Sequence, residues 1–120
     1  MTSEILNNDT ICALATPAGG AIAIIRISGS ETFPILLRIF KSQSVSCETI
    51  GQLPTRSLHY GNIVFPSDDS DEQTSSQIID EVLVSIFKHP HSYTGEDSAE
   101  ISCHGSSYII TKILEALIAN

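Results

Sequence analysis

Hydrophobic residues recur along this chain with two different periods, and the switch between them marks out the elements. From Ser98 to His104 the side chains alternate: Ala99, Ile101 and Cys103 point one way, and Ser98, Glu100, Ser102 and His104 point the other. This pattern predicts a short strand with one apolar face and one face carrying a carboxylate, two hydroxyls and an imidazole. Tyr93-Thr-Gly-Glu-Asp97 before it reads as a turn, because Gly95 tolerates positive φ and Asp97 can bond its own backbone. Gly105 and Ser106 break the strand, and Tyr108 to Ile118 carries apolar residues at helical spacing.

Upstream, Thr10 to Thr16 predicts a strand and Pro17-Ala-Gly-Gly20 a tight turn. Ala21 to Ser28 is a nearly continuous apolar run, expected of a strand buried on both faces and interrupted by Arg26. Ser30 is the expected N-cap of a short helix with Phe33, Leu36, Leu37 and Phe40 inward and Pro34 in its first turn. Ser42 to Arg56 shows no period and reads as a loop. Leu58 to Phe65 and Ile78 to Lys88 predict the two strands of a hairpin with an acidic, serine-rich tip from Pro66 to Gln77. Residues 1–9 are polar and read as a flexible arm, leaving residues 10–120 as one domain. The order β-β-α-β-β-β-α predicts an α+β fold with a mixed or antiparallel sheet and two helices. The last helix has a wide apolar side (Ile109, Ile110, Ile113, Leu114, Leu117, Ile118), expected to lie on a sheet. It reaches Asn120 without a cap, so the domain is expected to be truncated there.

Composition changes this picture in three ways. With 120 residues and 42% apolar content the chain supports a single core. Charged residues are only 17%, which points to surface meant to be covered by a partner. The net charge of −8, from 14 acids against 6 bases, disfavours direct nucleic-acid binding, so RNA contacts are expected from elsewhere. Cys12, Cys47 and Cys103 are odd in number and widely spaced, which fits a reducing cytoplasm better than a disulfide framework or a zinc knuckle. No signal peptide or membrane-length apolar run is present. His89, His91, Cys103 and His104 follow no zinc spacing, so no metal site is assigned; Cys103 reads as a small buried hydrophobe. No catalytic triad, nucleophile elbow or paired-carboxylate motif is found, and the sequence contains no G-x-x-x-x-G-K-[ST] loop for GTP.

Four stretches together resemble one family: Asp9-Thr-Ile with Ala15-Thr-Pro17, Ile24-Ile-Arg-Ile-Ser-Gly29, Tyr93-Thr-Gly-Glu-Asp97, and Glu100 with Cys103-His-Gly105. They are similar to the N-terminal domain of the bacterial tRNA-modification GTPases MnmE/TrmE. The resemblance implies a homodimerising domain that binds a one-carbon tetrahydrofolate, 5-formyl- or 5,10-methylenetetrahydrofolate. Its fold would be similar to the tetrahydrofolate domain of glycine-cleavage aminomethyltransferases. It further implies a parent enzyme with GTP, magnesium and potassium in a separate GTPase domain. With the MnmG flavoprotein, that parent would place a carboxymethylaminomethyl group on the wobble uridine of tRNA. By position, Arg26 and Glu100 match the family's folate ligands. Two departures are a shorter turn after Pro17 and a family lysine ligand that falls beyond Asn120.

The residues admit these roles on chemical grounds. A carboxylate such as Glu100 can accept the parallel 2-amino and N3–H donors of a pterin, or can simply be a solvated strand glutamate. Arg26, inside an apolar run, needs a partner: an internal acid or carbonyls, an anionic ligand, or a residue of another subunit. Two rivals to the folate-binding dimer are a dimerisation module without ligand and a stand-alone aminomethyltransferase-like enzyme.

Overall fold

The computed structural model describes residues 4–5, 10–17, 19–65, 77–90, 92 and 95–120. Its strands are β1 Glu4–Ile5, β2 Ile11–Leu14, β3 Ile22–Ser28, β4 Phe40–Lys41, β5 Ser57–Phe65, β6 Gln77–Phe87 and β7 Ser98–His104. Two helices accompany them, α1 Thr32–Ile39 and α2 Ser107–Ala119. The strands form one sheet in the order β1-β2-β3-β7-β6-β5-β4, with antiparallel neighbours throughout. This is the expected α+β architecture, resolved in favour of the antiparallel option. The last strand, β7, enters the middle of the sheet between the β2–β3 and β5–β6 hairpins and joins them.

Both helices lie on one face. From that side the sheet contributes Ala23, Ile25, Ile27, Val84, Ile86, Ala99 and Ile101, all 2% exposed or less. The helices contribute Ile35, Leu36 and Ile39, and Ile113, Ala116 and Leu117, to the same cluster. Burying each of the larger side chains contributes about 1.5–3 kcal/mol, so this layer holds the fold together.

Several local expectations are corrected by this one-sided layout. Residues 22–28 are not buried on both faces: Ala23, Ile25 and Ile27 are covered, while Ile22 is 65% exposed and Ile24 and Arg26 are half-buried. In α1 the stripe is Ile35, Leu36, Ile39 with Phe33 and Leu37 at its margins, because the chain leaves the helix at Phe40 to pair with β5. Ser30 is not the N-cap. Glu31 holds that position, and its N–H is met by Thr10 Oγ1 at 2.9 Å, a cap supplied from the start of β2. The 42–56 segment contains a 3-10 turn at Ile50–Gln52. Ser106 caps α2 by accepting the Ile109 N–H, and Asn120 closes the other end through its side-chain amide to the Ala116 carbonyl. The hairpin tip 66–76, residues 1–3 and 6–9, and Tyr93 and Thr94 lie outside the described residues, while Glu4–Ile5 pairs with β2. Among the described residues no helix is long and apolar enough to cross a membrane.

Candidate functional site

Parts of three of the sequence stretches singled out above, Thr10, Ser28-Gly29 and Glu96-Asp97, meet around one end of β3 and β7. Gly29 follows β3 with φ +139°, and a Cβ there would sit 2.5 Å from the Thr10 Cα, so only glycine fits. Its N–H donates to the Asp97 carbonyl at 2.9 Å, and the Thr32 hydroxyl donates to the same oxygen at 3.0 Å. Ser28 Oγ donates to a Glu96 carboxylate oxygen at 3.3 Å, and Asp97 Oδ1 accepts the His89 N–H at 2.9 Å. Ser28-Gly29 and Glu96-Asp97 are thus hydrogen-bonded to each other, with Thr10 packed against Gly29, and these contacts hold the ends of β3 and β7 together.

One step along the strands the two predicted ligand residues come together. Arg26 and Glu100 are direct register partners on β3 and β7, with side chains on the face that, among the described residues, carries no helix. Arg26 Nη2 donates to Glu100 Oε2 at 2.7 Å and Nε to the same oxygen at 3.2 Å. Among the described residues, Arg26 therefore has an internal acid as partner, one of the options open from sequence. The side chains are 43% and 20% exposed. An ion pair this open is worth about 1 kcal/mol or less to folding, so its place on the sheet owes little to stability. Both donors use Oε2, and a carboxylate has lone pairs for further donors on Oε1.

The other end of β7 holds residues that sequence reasoning had left without a role. His104 Nδ1 lies 2.7 Å from Asp80 Oδ1, and the His104 backbone N–H donates to Asp80 Oδ2 at 2.9 Å. The position of Asp80 near the start of β6 was legible; its reach to β7 depends on strand order and was not. Cys103 faces the core, where burial and then the Asp80 charge push its thiol up to about 11, making it inert. His89 Nδ1–H donates to the Gly95 carbonyl within the turn, and His91 lies outside the described residues. Gly105 is required sterically, since a Cβ there would come within 1.8 Å of the Gly20 carbonyl oxygen. Beside His104, Ile22, Tyr60 and Leu83 are 65%, 61% and 42% exposed on the same helix-free face. The Tyr60 hydroxyl is raised above its ordinary pKa, first by its hydrogen bond to Glu81.

Residues 10–120 match the family model described as the GTP-binding protein TrmE N-terminus. The chain is 46% identical over 115 residues to the tRNA modification GTPase MnmE of Bacteroides thetaiotaomicron, covering 96% of this chain and 23% of that protein. It is 48% identical over 115 residues to the protein of the same name from Flavobacterium johnsoniae, covering 95% of this chain and 22% of the relative. Against that of Christiangramia forsetii it is 49% identical over 112 residues, covering 92% and 21%. The chain spans less than a quarter of the length of these relatives. Matched over nearly its whole length, it belongs to the TrmE N-terminus family.

Proposed function

We propose that this chain is the folate-binding, dimer-forming domain of a cytoplasmic tRNA-modification GTPase. The observation that supports this most is the placement of Glu100: a partly buried carboxylate on an open sheet face, steadied through one oxygen by Arg26. A pterin edge offers two parallel N–H donors, and a carboxylate already oriented by a guanidinium receives them with little loss of side-chain freedom. Ile24 and Leu83, in register with Ser102 next along the face, offer apolar surface to a flat heterocycle. In this reading Arg26 sets the angle of Glu100 and balances its charge, and the one-carbon tetrahydrofolate that the family resemblance implies, 5-formyl- or 5,10-methylenetetrahydrofolate, is held chiefly through Glu100.

GTP with its magnesium and potassium, the contacts to tRNA, the partnership with an MnmG-like flavoprotein and the chemistry on the wobble uridine belong, in this proposal, to the remainder of the parent protein. Homodimerisation is supported by the apolar positions uncovered on the open face, among them Leu58 and Tyr60, each 61% exposed.

Calorimetric titration of 5-formyltetrahydrofolate into the chain and into Glu100→Ala tests the reading. Losing charge-assisted bonds predicts ~10- to 100-fold weaker binding by the variant. Equal affinities would make Glu100 an ordinary surface residue and place the folate site elsewhere, whereas no binding by either protein would leave the dimerisation module as the surviving function.

A further inference from the structure

The helix-free face has two unlike ends along β7. At the Ser98 end it is closed: the register partners Ser28 and Ser98 are 5% and 4% exposed, under the turn that contributes Glu96. At the His104 end it is open and floored by apolar side chains. Ile22, Tyr60, Glu81, Leu83, Ser102 and His104 line a shallow depression of about 310 Å³.

His104 is held there in a defined orientation. Asp80, with its side chain 9% exposed, accepts the His104 backbone N–H at one oxygen and Nδ1–H at the other. In the neutral ring this makes Nδ1 the donor and leaves Nε2 as an acceptor on a side chain 72% exposed. With Asp80 and Glu81 nearby the corner is acidic, which favours an N–H donor and turns any carboxylate attached to it outward toward solvent. Glu100 and His104 are four residues apart on one face, roughly 13 Å along the strand.

From this layout we infer that a folate engaged at Glu100 lies along β7 toward His104. Its benzoyl ring covers Leu83 and Ser102, and its benzamide N–H donates to His104 Nε2. The glutamate carboxylates then project past the acidic corner into solvent. His104 is a ligand-binding residue in this arrangement, and Asp80 is the positioning residue that sets its tautomer. The inference rests on the folate reading above and adds to it a direction and a specificity for the tail.

The test compares 5-formyltetrahydrofolate with 5-formyl-6-methyltetrahydropterin, which lacks the benzoylglutamate tail, by calorimetry on three proteins: the unsubstituted chain, His104→Ala and Asp80→Asn. In Asp80→Asn the backbone N–H keeps the side-chain oxygen, so the amide NH2 faces Nδ1 and turns Nε2 into a donor; imidazole 15N shifts report the change. The expected result is that both variants bind the full folate ~5- to 10-fold more weakly, as for one neutral hydrogen bond, and bind the tail-less pterin as the unsubstituted chain does. Unchanged folate affinity in both variants, or equal losses for both ligands, overturns the inference while the folate reading stands. If neither ligand binds the unsubstituted chain, the folate reading falls and the inference falls with it.

Discussion

The two faces of β7 carry adjacent residues with opposite duties. Ala99, Ile101 and Cys103 are 0%, 0% and 4% exposed beneath the helices, whereas Glu100 and His104 stand on the uncovered side, where Glu100 pairs with Arg26 and His104 with Asp80. On the covered face, shape and volume decide what fits, because close-packed interiors register the loss of single methylene groups. On the open face, packing constrains little and hydrogen-bonding chemistry decides. A single strand therefore separates what keeps the protein folded from what lets it bind, and substitutions one residue apart should separate the two experimentally.

The largest effect is expected on the covered face. Ile101→Ala leaves a cavity under both helices and should cost about 2–5 kcal/mol in denaturant unfolding. A loss below about 1 kcal/mol would mean that this face is not the core. Next comes Gly105→Ala, which drives a Cβ to 1.8 Å from the Gly20 carbonyl oxygen; backbone displacement should cost about 1–3 kcal/mol, read from the shift in unfolding midpoint. Arg26→Ala should move stability by about 1 kcal/mol or less, since it breaks a half-exposed pair, and an appreciably larger loss would blur the distinction between the faces.

The smallest effect is a pH dependence on the covered side. His59 is 9% exposed, with Ser44 Oγ 2.9 Å from Nδ1 and Ser57 Oγ 2.7 Å from Nε2, and burial lowers its pKa below 6.5. The unfolded chain binds this proton more readily than the folded one. The contribution is fully present above pH ~6.5 and is lost as pH falls through the lower folded value. Thermal midpoints measured across pH 5 to 8 should therefore fall on the acid side, and His59→Gln should flatten that part of the profile.

How much of this was legible from residues alone follows the same division. The alternation in β7, the hairpin of β5 and β6 and the helical spacing of α2 are local patterns, and the structure repeats them. Glu100 could be placed on the polar side of its strand for the same reason. Its pairing with Arg26 could not, because that contact spans 74 positions and depends on β7 inserting beside β3. Thr10 as the partner of the α1 N-terminus was hidden for a like reason, and a local serine was the natural but wrong choice. The exposed positions of Ile22, Leu58 and Leu83 were illegible because an apolar run looks the same whether helices cover one face of the sheet or both.

The most direct test of this division uses the neighbouring variants Glu100→Ala and Ile101→Ala, each measured for unfolding free energy and for 5-formyltetrahydrofolate affinity under conditions where it is folded. The account predicts that Glu100→Ala keeps its stability within about 1 kcal/mol and binds ~10- to 100-fold more weakly, while Ile101→Ala loses about 2–5 kcal/mol and binds within a factor of about three of the unsubstituted chain. Glu100→Ala unfolding as readily as Ile101→Ala, or binding as tightly as the unsubstituted chain, would contradict it.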